Sequence, residues 1–286
     1  MFGLAVRDAL GAPVERLTRG RFVPVTCYRA GGYFRLPAGA WTDDTAMALC
    51  LADSICAAHP FDEADLLARF CRWVELAENT STGLCIGAGK NTLRALGHHR
   101  RTGALTVPRY GAHSDGNGVL MRLAPVAIRY RADRELAQHV ALQQGRTTHA
   151  SPLSEAACAF VLDLLLGVIA GKGWNDALAA AEAGIRHDQI FERIAARQED
   201  ELPPSSGYVL DTLQAAIWSV HRAPDFPSAV LTAVNLGGDT DTVGAVTGQI
   251  AGARWGLSAI PQDWIGGLVR RDLIESASNK LIQSHK

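Results

Sequence analysis

Apolar residues recur along most of this chain with the three-to-four-residue spacing of a helix face, and seldom with the alternation of a strand. Leu66, Leu67, Phe70, Trp73 and Val74 share one such face after Asp62, whose carboxylate suits a helix N-cap. The same spacing predicts helices over Thr45–Ala57, Ser154–Ala170, Trp174–Ala183 and Asp211–Val220. Only Arg21–Tyr28 reads as a strand, and Pro24 argues against a central place in a sheet. Loops are predicted around Gly31–Ala40, His98–Asn117 and Gln198–Gly207, none with the low complexity of a linker. The expected fold is all-α: a single compact orthogonal multi-helix domain over residues 1–286, without an internal repeat. Gly244, Gly248, Gly252 and Gly256 clear one face of the last glycine-rich helix, so that another helix can approach it.

A formal net charge of −1 gives no overall basic field, so direct nucleic-acid binding is not expected. The most apolar run, Ala156–Gly171, carries Asp163 and is short for a membrane span, and Arg7 and Asp8 interrupt the place of a signal segment. Six cysteines lie far apart without a C-x-x-C pair, which points to reduced thiols and a cytoplasmic setting rather than to disulfides or zinc.

The candidate chemistry lies in two acidic segments, each just before an apolar periodic run. In Trp41-Thr42-Asp43-Asp44-Thr45 one acid would serve as a helix cap, but the pattern returns in Gly237-Gly238-Asp239-Thr240-Asp241-Thr242, and one helix needs one cap. If the segments meet, carboxylates about 4 Å apart repel by roughly 4 kcal/mol per pair at an effective dielectric near 20. Such a site calls for cations, and hard carboxylate and hydroxyl oxygens favour Mg²⁺ or Mn²⁺ over zinc.

T-D-D-T near the start and G-G-D-T-D-T near the end resemble the ADP-ribosylglycohydrolase family. So do Asp8-Ala9-Leu10-Gly11 with Glu15, Asn117-Gly118 with Met121-Arg122-Leu123-Ala124-Pro125, and Thr147-Thr148-His149. Ser206-Gly207-Tyr208-Val209-Leu210-Asp211-Thr212 is similar to a segment of the bacterial branch that reactivates dinitrogenase reductase.

The resemblance implies two divalent ions, Mg²⁺ or Mn²⁺, held by Thr42, Asp43, Asp44, Asp239, Asp241 and Thr242, with Thr45 and Thr240 capping or orienting. It implies Glu15 or Asp44 as proton acceptor for water, and Asn117, Gly118, His149, Gly207 and Tyr208 as substrate-binding residues. The implied reaction is hydrolysis of the glycosidic bond at C1″ of ADP-ribose, on a modified protein side chain or a small-molecule conjugate. Two rival functions share these residues: two-metal hydrolysis of a nucleotide phosphoester or pyrophosphate, and ADP-ribose binding without turnover.

Two positions depart from the family pattern. Arg7 stands where the family usually has glycine, and is expected either to pair with Asp8 or to point outward. Gly87 stands where the bacterial branch has aspartate, which predicts weak activity on arginine-linked ADP-ribose and a gain of roughly tenfold from Gly87→Asp, if the new carboxylate supplies about 1.4 kcal/mol. Gly89-Lys90 is not a phosphate loop, because Leu84 and Asn91 occupy two of its required positions.

Overall fold

The structure is a computed structural model and describes every residue except 58–59, 112–114, 199 and 284–286. Its helices in chain order begin with α1 (Phe2–Gly11), α2 (Asp43–Ala57), α3 (Glu63–Leu76), α4 (Lys90–Thr102) and α5 (Ala124–Arg129). Next come α6 (Arg134–Arg146), α7 (Pro152–Ile169), α8 (Trp174–Glu182), α9 (Asp188–Ala195) and α10 (Val209–Arg222). The C-terminal part holds α11 (Phe226–Val234), α12 (Thr240–Trp255), α13 (Gln262–Gly266) and α14 (Arg271–Ile282). Among the described residues the only β pairing is two isolated bridges, Gly31 with Leu36 and Gly116 with Tyr208. The fold is all-α and forms one compact domain.

α1 and α12 form the centre. Gly3 to Gly11 of α1 are all buried, as are Thr240 to Ala251 of α12, so neither helix has the one-sided pattern of a surface helix. Their axes come close because glycines meet: a Cβ on Gly248 would overlap the Gly3 carbonyl, and one on Gly252 would lie 3.4 Å from Gly3 Cα. Around this pair pack α2, α7, α10 and α11, which bury Leu49, Leu51, Val161, Leu162, Ile217 and Val230.

The predicted helices sit within α2, α3, α7, α8 and α10, and Asp62 caps α3 by accepting from Ala64 N at 2.8 Å. Arg21–Tyr28 is not a strand. At its middle the partner is a side chain: Asn235 accepts from Val25 N at 2.8 Å and donates to Val25 O at 3.1 Å, so these backbone groups are satisfied without a ladder. The loop expected from His98 begins later, because α4 runs to Thr102 and ends on Gly103 in the left-handed conformation, φ 72°. α7 is, by length and composition, apolar enough to cross a membrane, yet 61% of its 18 residues are buried in the protein. Its Asp163 accepts two bonds from Arg134, at 2.9 and 2.7 Å.

Candidate active site

The N-terminus of α2 is capped from another helix. Asp8 of α1 accepts from Thr42 N and Thr45 N at 3.0 Å, and from the hydroxyls of Thr42 at 2.8 Å and Thr45 at 2.6 Å. With these donors satisfied, Asp43 and Asp44 in the first turn need not cap their own helix. α12 is tied to the same, C-terminal end of α1 by Thr240 Oγ1, which donates to Gly11 O at 3.0 Å. The two ends of the chain thereby meet. One carboxylate oxygen each from Asp43, Asp44 and Asp241 lies within 4.8 Å of the others. Asp239 stands beside them, its Oδ2 accepting from Asn117 Nδ2 at 2.6 Å.

Burial and crowding make the carboxyl groups here weaker acids. The Asp44 carboxyl is held well above the usual range by burial first, then by the charges of Asp8 and Asp43. Burial likewise raises Asp43, reinforced by Asp8 and Glu15, and raises Asp241, reinforced by Asp239 and Asp44. Glu15 is raised by burial and pulled back by Arg16, whose Nε donates to Oε1 at 3.0 Å. Both oxygens of Asp44, and Glu15 Oε2, are buried without a hydrogen-bond donor. Unmatched buried oxygens in a set of hard donors fit a divalent cation.

The cluster floors a cavity of about 600 Å³. Glu15, Asp43, Asp239, Asp241 and Thr242 make its acidic wall, Gly116, Asn117, Gly118, His149 and Gly207 a neutral one, and Arg16, Lys90 and Arg94 also line it. His149 is wedged between the two glycines: a Cβ on Gly116 would lie 2.9 Å from its Nε2, and one on Gly118 2.7 Å from its Cε1.

The protonation of His149 follows from its neighbours. Arg122, fully buried, donates to Gln144 Oε1 at 2.6 Å and to Thr148 Oγ1 at 2.7 Å. Thr148 Oγ1 in turn contacts His149 Nδ1 at 2.8 Å. A guanidinium can only donate, so Thr148 Oγ1 accepts from Arg122 and keeps its own hydrogen available for Nδ1; in that arrangement the ring hydrogen sits on Nε2. Burial, helped by the charge of Arg122, lowers the His149 pKa to about 3 and keeps the ring neutral. The cavity is therefore lined by a neutral imidazole.

Not every residue singled out from the sequence reaches the cavity. Thr42 and Asp44 lie behind it, Thr42 with its hydroxyl donated to Asp8. Asn117 lines it but donates both amide hydrogens within the protein, to Asp239 and to Thr212 Oγ1 at 2.8 Å, and so positions a carboxylate rather than offering an amide. Tyr208 is absent from the lining: its half-buried ring packs against the core, and its contribution is the backbone bridge to Gly116.

Arg7 neither pairs with Asp8 nor points outward. It is fully buried, and among the described residues no ion pair or hydrogen bond reaches its guanidinium. Gly87 has φ 86°, and a Cβ there would overlap the Asp43 carboxylate. An aspartate at 87 would have to displace a candidate ligand, which argues against the expected gain from Gly87→Asp. Asp8, Arg122 and Thr148 were quoted within motifs but given no role. Their roles depend on partners 22 to 37 positions away, and spacing along one helix carries no such signal.

An all-helical fold that gathers acidic groups from both chain ends beside a nucleotide-sized cavity defines a narrow class of hydrolase. The model of the family described as ADP-ribosylglycohydrolase matches residues 1–286. The chain is 37% identical to "ADP-ribosylarginine hydrolase Tri1" of Serratia proteamaculans (strain 568) over 98% of its own length and 77% of that protein's. It is 33% identical to "ADP-ribosyl-[dinitrogen reductase] glycohydrolase" of Rhodospirillum rubrum, over 93% of this chain and 87% of the other. A solved structure described as "ADP-ribosylglycohydrolase-related protein complex" aligns with a TM-score of 0.85 at 39% identity, covering 98% of this chain and 94% of that one. The chain belongs to the ADP-ribosylglycohydrolase family.

Proposed function

We propose that this enzyme hydrolyses the bond between C1″ of ADP-ribose and a protein side chain, with arginine-linked conjugates the first substrate to test. The observation that carries this reading is the cavity, which is lined both by a cluster of carboxylates and by the neutral imidazole of His149. Two divalent cations, Mg²⁺ or Mn²⁺, held by Asp43, Asp44, Asp239, Asp241 and Thr242 with Thr42 behind, would supply charge for the ribose hydroxyls and a more acidic water. Asp44, buried behind the cavity, suits a ligand rather than a base. Glu15 lines the cavity and is the better-placed proton acceptor: Arg16 fixes Oε1, while Oε2 is left without a donor. Cleavage builds oxocarbenium-like charge at C1″, which the surrounding carboxylates favour electrostatically. His149 Nε2–H and the close backbones of Gly116, Gly118 and Gly207 suit the anionic diphosphate, and binding this remote part orients C1″.

Arginine linkage is supported by the printed name of the Serratia relative and by the steric reason for Gly87, which no longer reads as a lost catalytic carboxylate. A cytoplasmic setting suits the six free thiols. The test is release of free ADP-ribose from arginine-, serine- and nucleobase-linked conjugates with Mn²⁺ and with chelator. Metal-dependent ADP-ribose release is expected. AMP as the product, or tight ADP-ribose binding with no turnover of any conjugate, overturns the reading, and a Mn²⁺-soaked crystal without an ion touching both acidic segments overturns the ligand set.

A further inference from the structure

Arg7 is a cation enclosed beneath the acidic cluster. It has no exposed surface, and its Nε, Nη1 and Nη2 find no acceptor. The space it fills is made by glycine. A Cβ on Gly244 would overlap the guanidinium, one on Gly11 would lie 2.7 Å from Nη1, and one on Gly248 would lie 2.9 Å from Arg7 Cβ. α1 and α12 thus close around the side chain, and among the described residues no ion pair within 4.0 Å holds it. An isolated buried charge is costly, and it is tolerated where opposite charge is near. Here that charge is Asp241, Asp44 and Asp8, which draw the guanidinium toward its charged form. Burial brings its pKa down to about 9, so it stays charged at neutral pH.

We propose that Arg7 is a built-in counter-ion of the acidic cluster, which offsets carboxylate repulsion when no metal is bound and opposes the entry of divalent cations through its own charge. The proposal rests on reading the cluster as a cation site. It makes Arg7 a positioning residue that sets cation affinity without touching substrate. A packing role would need the volume of the side chain but not its charge, which separates the two experimentally.

The experiment uses the full chain stripped with chelator, with Mn²⁺ titrated calorimetrically into the parent, Arg7→Met and Arg7→Lys. Arg7→Met should bind Mn²⁺ at least about tenfold more tightly, as expected when a full charge is removed from near a divalent ion even with strong screening. Its melting temperature should also rise more than the parent's at the same free Mn²⁺. Arg7→Lys should keep the parental affinity. Should Arg7→Met not fold, Arg7→Gln carries the same comparison. Equal Mn²⁺ affinity in the parent and the neutral variants overturns the counter-ion role while leaving the metal site intact. Absence of Mn²⁺ binding in every form overturns both readings.

Discussion

Replacing Thr148 by valine removes one hydroxyl from a buried relay and keeps the volume of the side chain. In the parent, Arg122 donates to Thr148 Oγ1 at 2.7 Å, and Thr148 Oγ1 lies 2.8 Å from His149 Nδ1, to which the relay has it donate. Valine leaves Arg122 Nη2 with its second acceptor, Gln144 O at 3.0 Å, so the stability cost should be that of one charged hydrogen bond, about 1–3 kcal/mol. The functional cost has a different origin. Without a donor at Nδ1, the ring hydrogen is free to move from Nε2, and a lone pair then faces the bound anion in place of an N–H. Losing such a hydrogen bond should cost about 1.4–2.7 kcal/mol, or roughly 10- to 100-fold in kcat/KM. Thr148→Ser restores the hydroxyl and should restore both kcat/KM and the imidazole ¹⁵N shifts of an Nε2–H tautomer. The assay is steady-state ADP-ribose release well below the melting temperature, paired with ¹⁵N spectra of His149. Parental kcat/KM and unchanged His149 shifts in Thr148→Val would refute the relay.

Asp241→Ala should abolish turnover at saturating metal, whereas Cys85→Ala should be nearly silent, since burial pushes the Cys85 thiol up to about 11 and leaves it unreactive; ADP-ribose release by the two variants checks both. Gly87→Ala and Gly87→Asp should both lower kcat/KM on arginine-linked ADP-ribose by at least about tenfold, because the clash with Asp43 begins at Cβ and strains a left-handed backbone; a parental or raised rate in Gly87→Asp would show that Asp43 can move without cost. Because the folded His149 pKa lies near 3, below its ordinary 6.5, the neutral ring contributes stability above about pH 6.5 that is lost as pH falls toward 3. Denaturant melts should therefore show the stability difference between parent and His149→Gln constant at neutral pH and shifting in favour of the variant through that window.

How much of this was legible in the sequence depended on how local each feature is. Asp62 and the helices after it follow from neighbours a few positions away, and the family motifs marked Asp43, Asp44, Asp239 and Asp241 as chemistry rather than caps. α1 was missed as a helix because burial on every side removes the polar face that reveals a period. α4 was missed for the opposite reason: only Thr92, Ala95 and Leu96 are buried, too few to stand out. The extended segment before Tyr28 has the composition of a strand, but its partner is the Asn235 side chain, 210 positions away. The trans cap from Asp8 and the enclosed Arg7 depend on α1 meeting α2 and α12, a contact no periodicity encodes.

The same contacts bear on how many cations the site takes. The four aspartates proposed as ligands would bring four negative charges when ionised, and Glu15 is balanced by its ion pair with Arg16. Asp8 and Arg7, both fully buried, offset one another. The N-termini of α2 and α12 point toward the cluster, each contributing roughly half a positive charge. About three negative charges therefore remain. A single divalent cation leaves the floor about one charge negative, which would repel the diphosphate of ADP-ribose. Two divalent cations leave it about one charge positive, which would attract the same group. For an anionic substrate the proposed two-ion site would therefore carry the favourable sign, and Arg7 would be part of that balance: without it the floor would be close to neutral even with both ions bound.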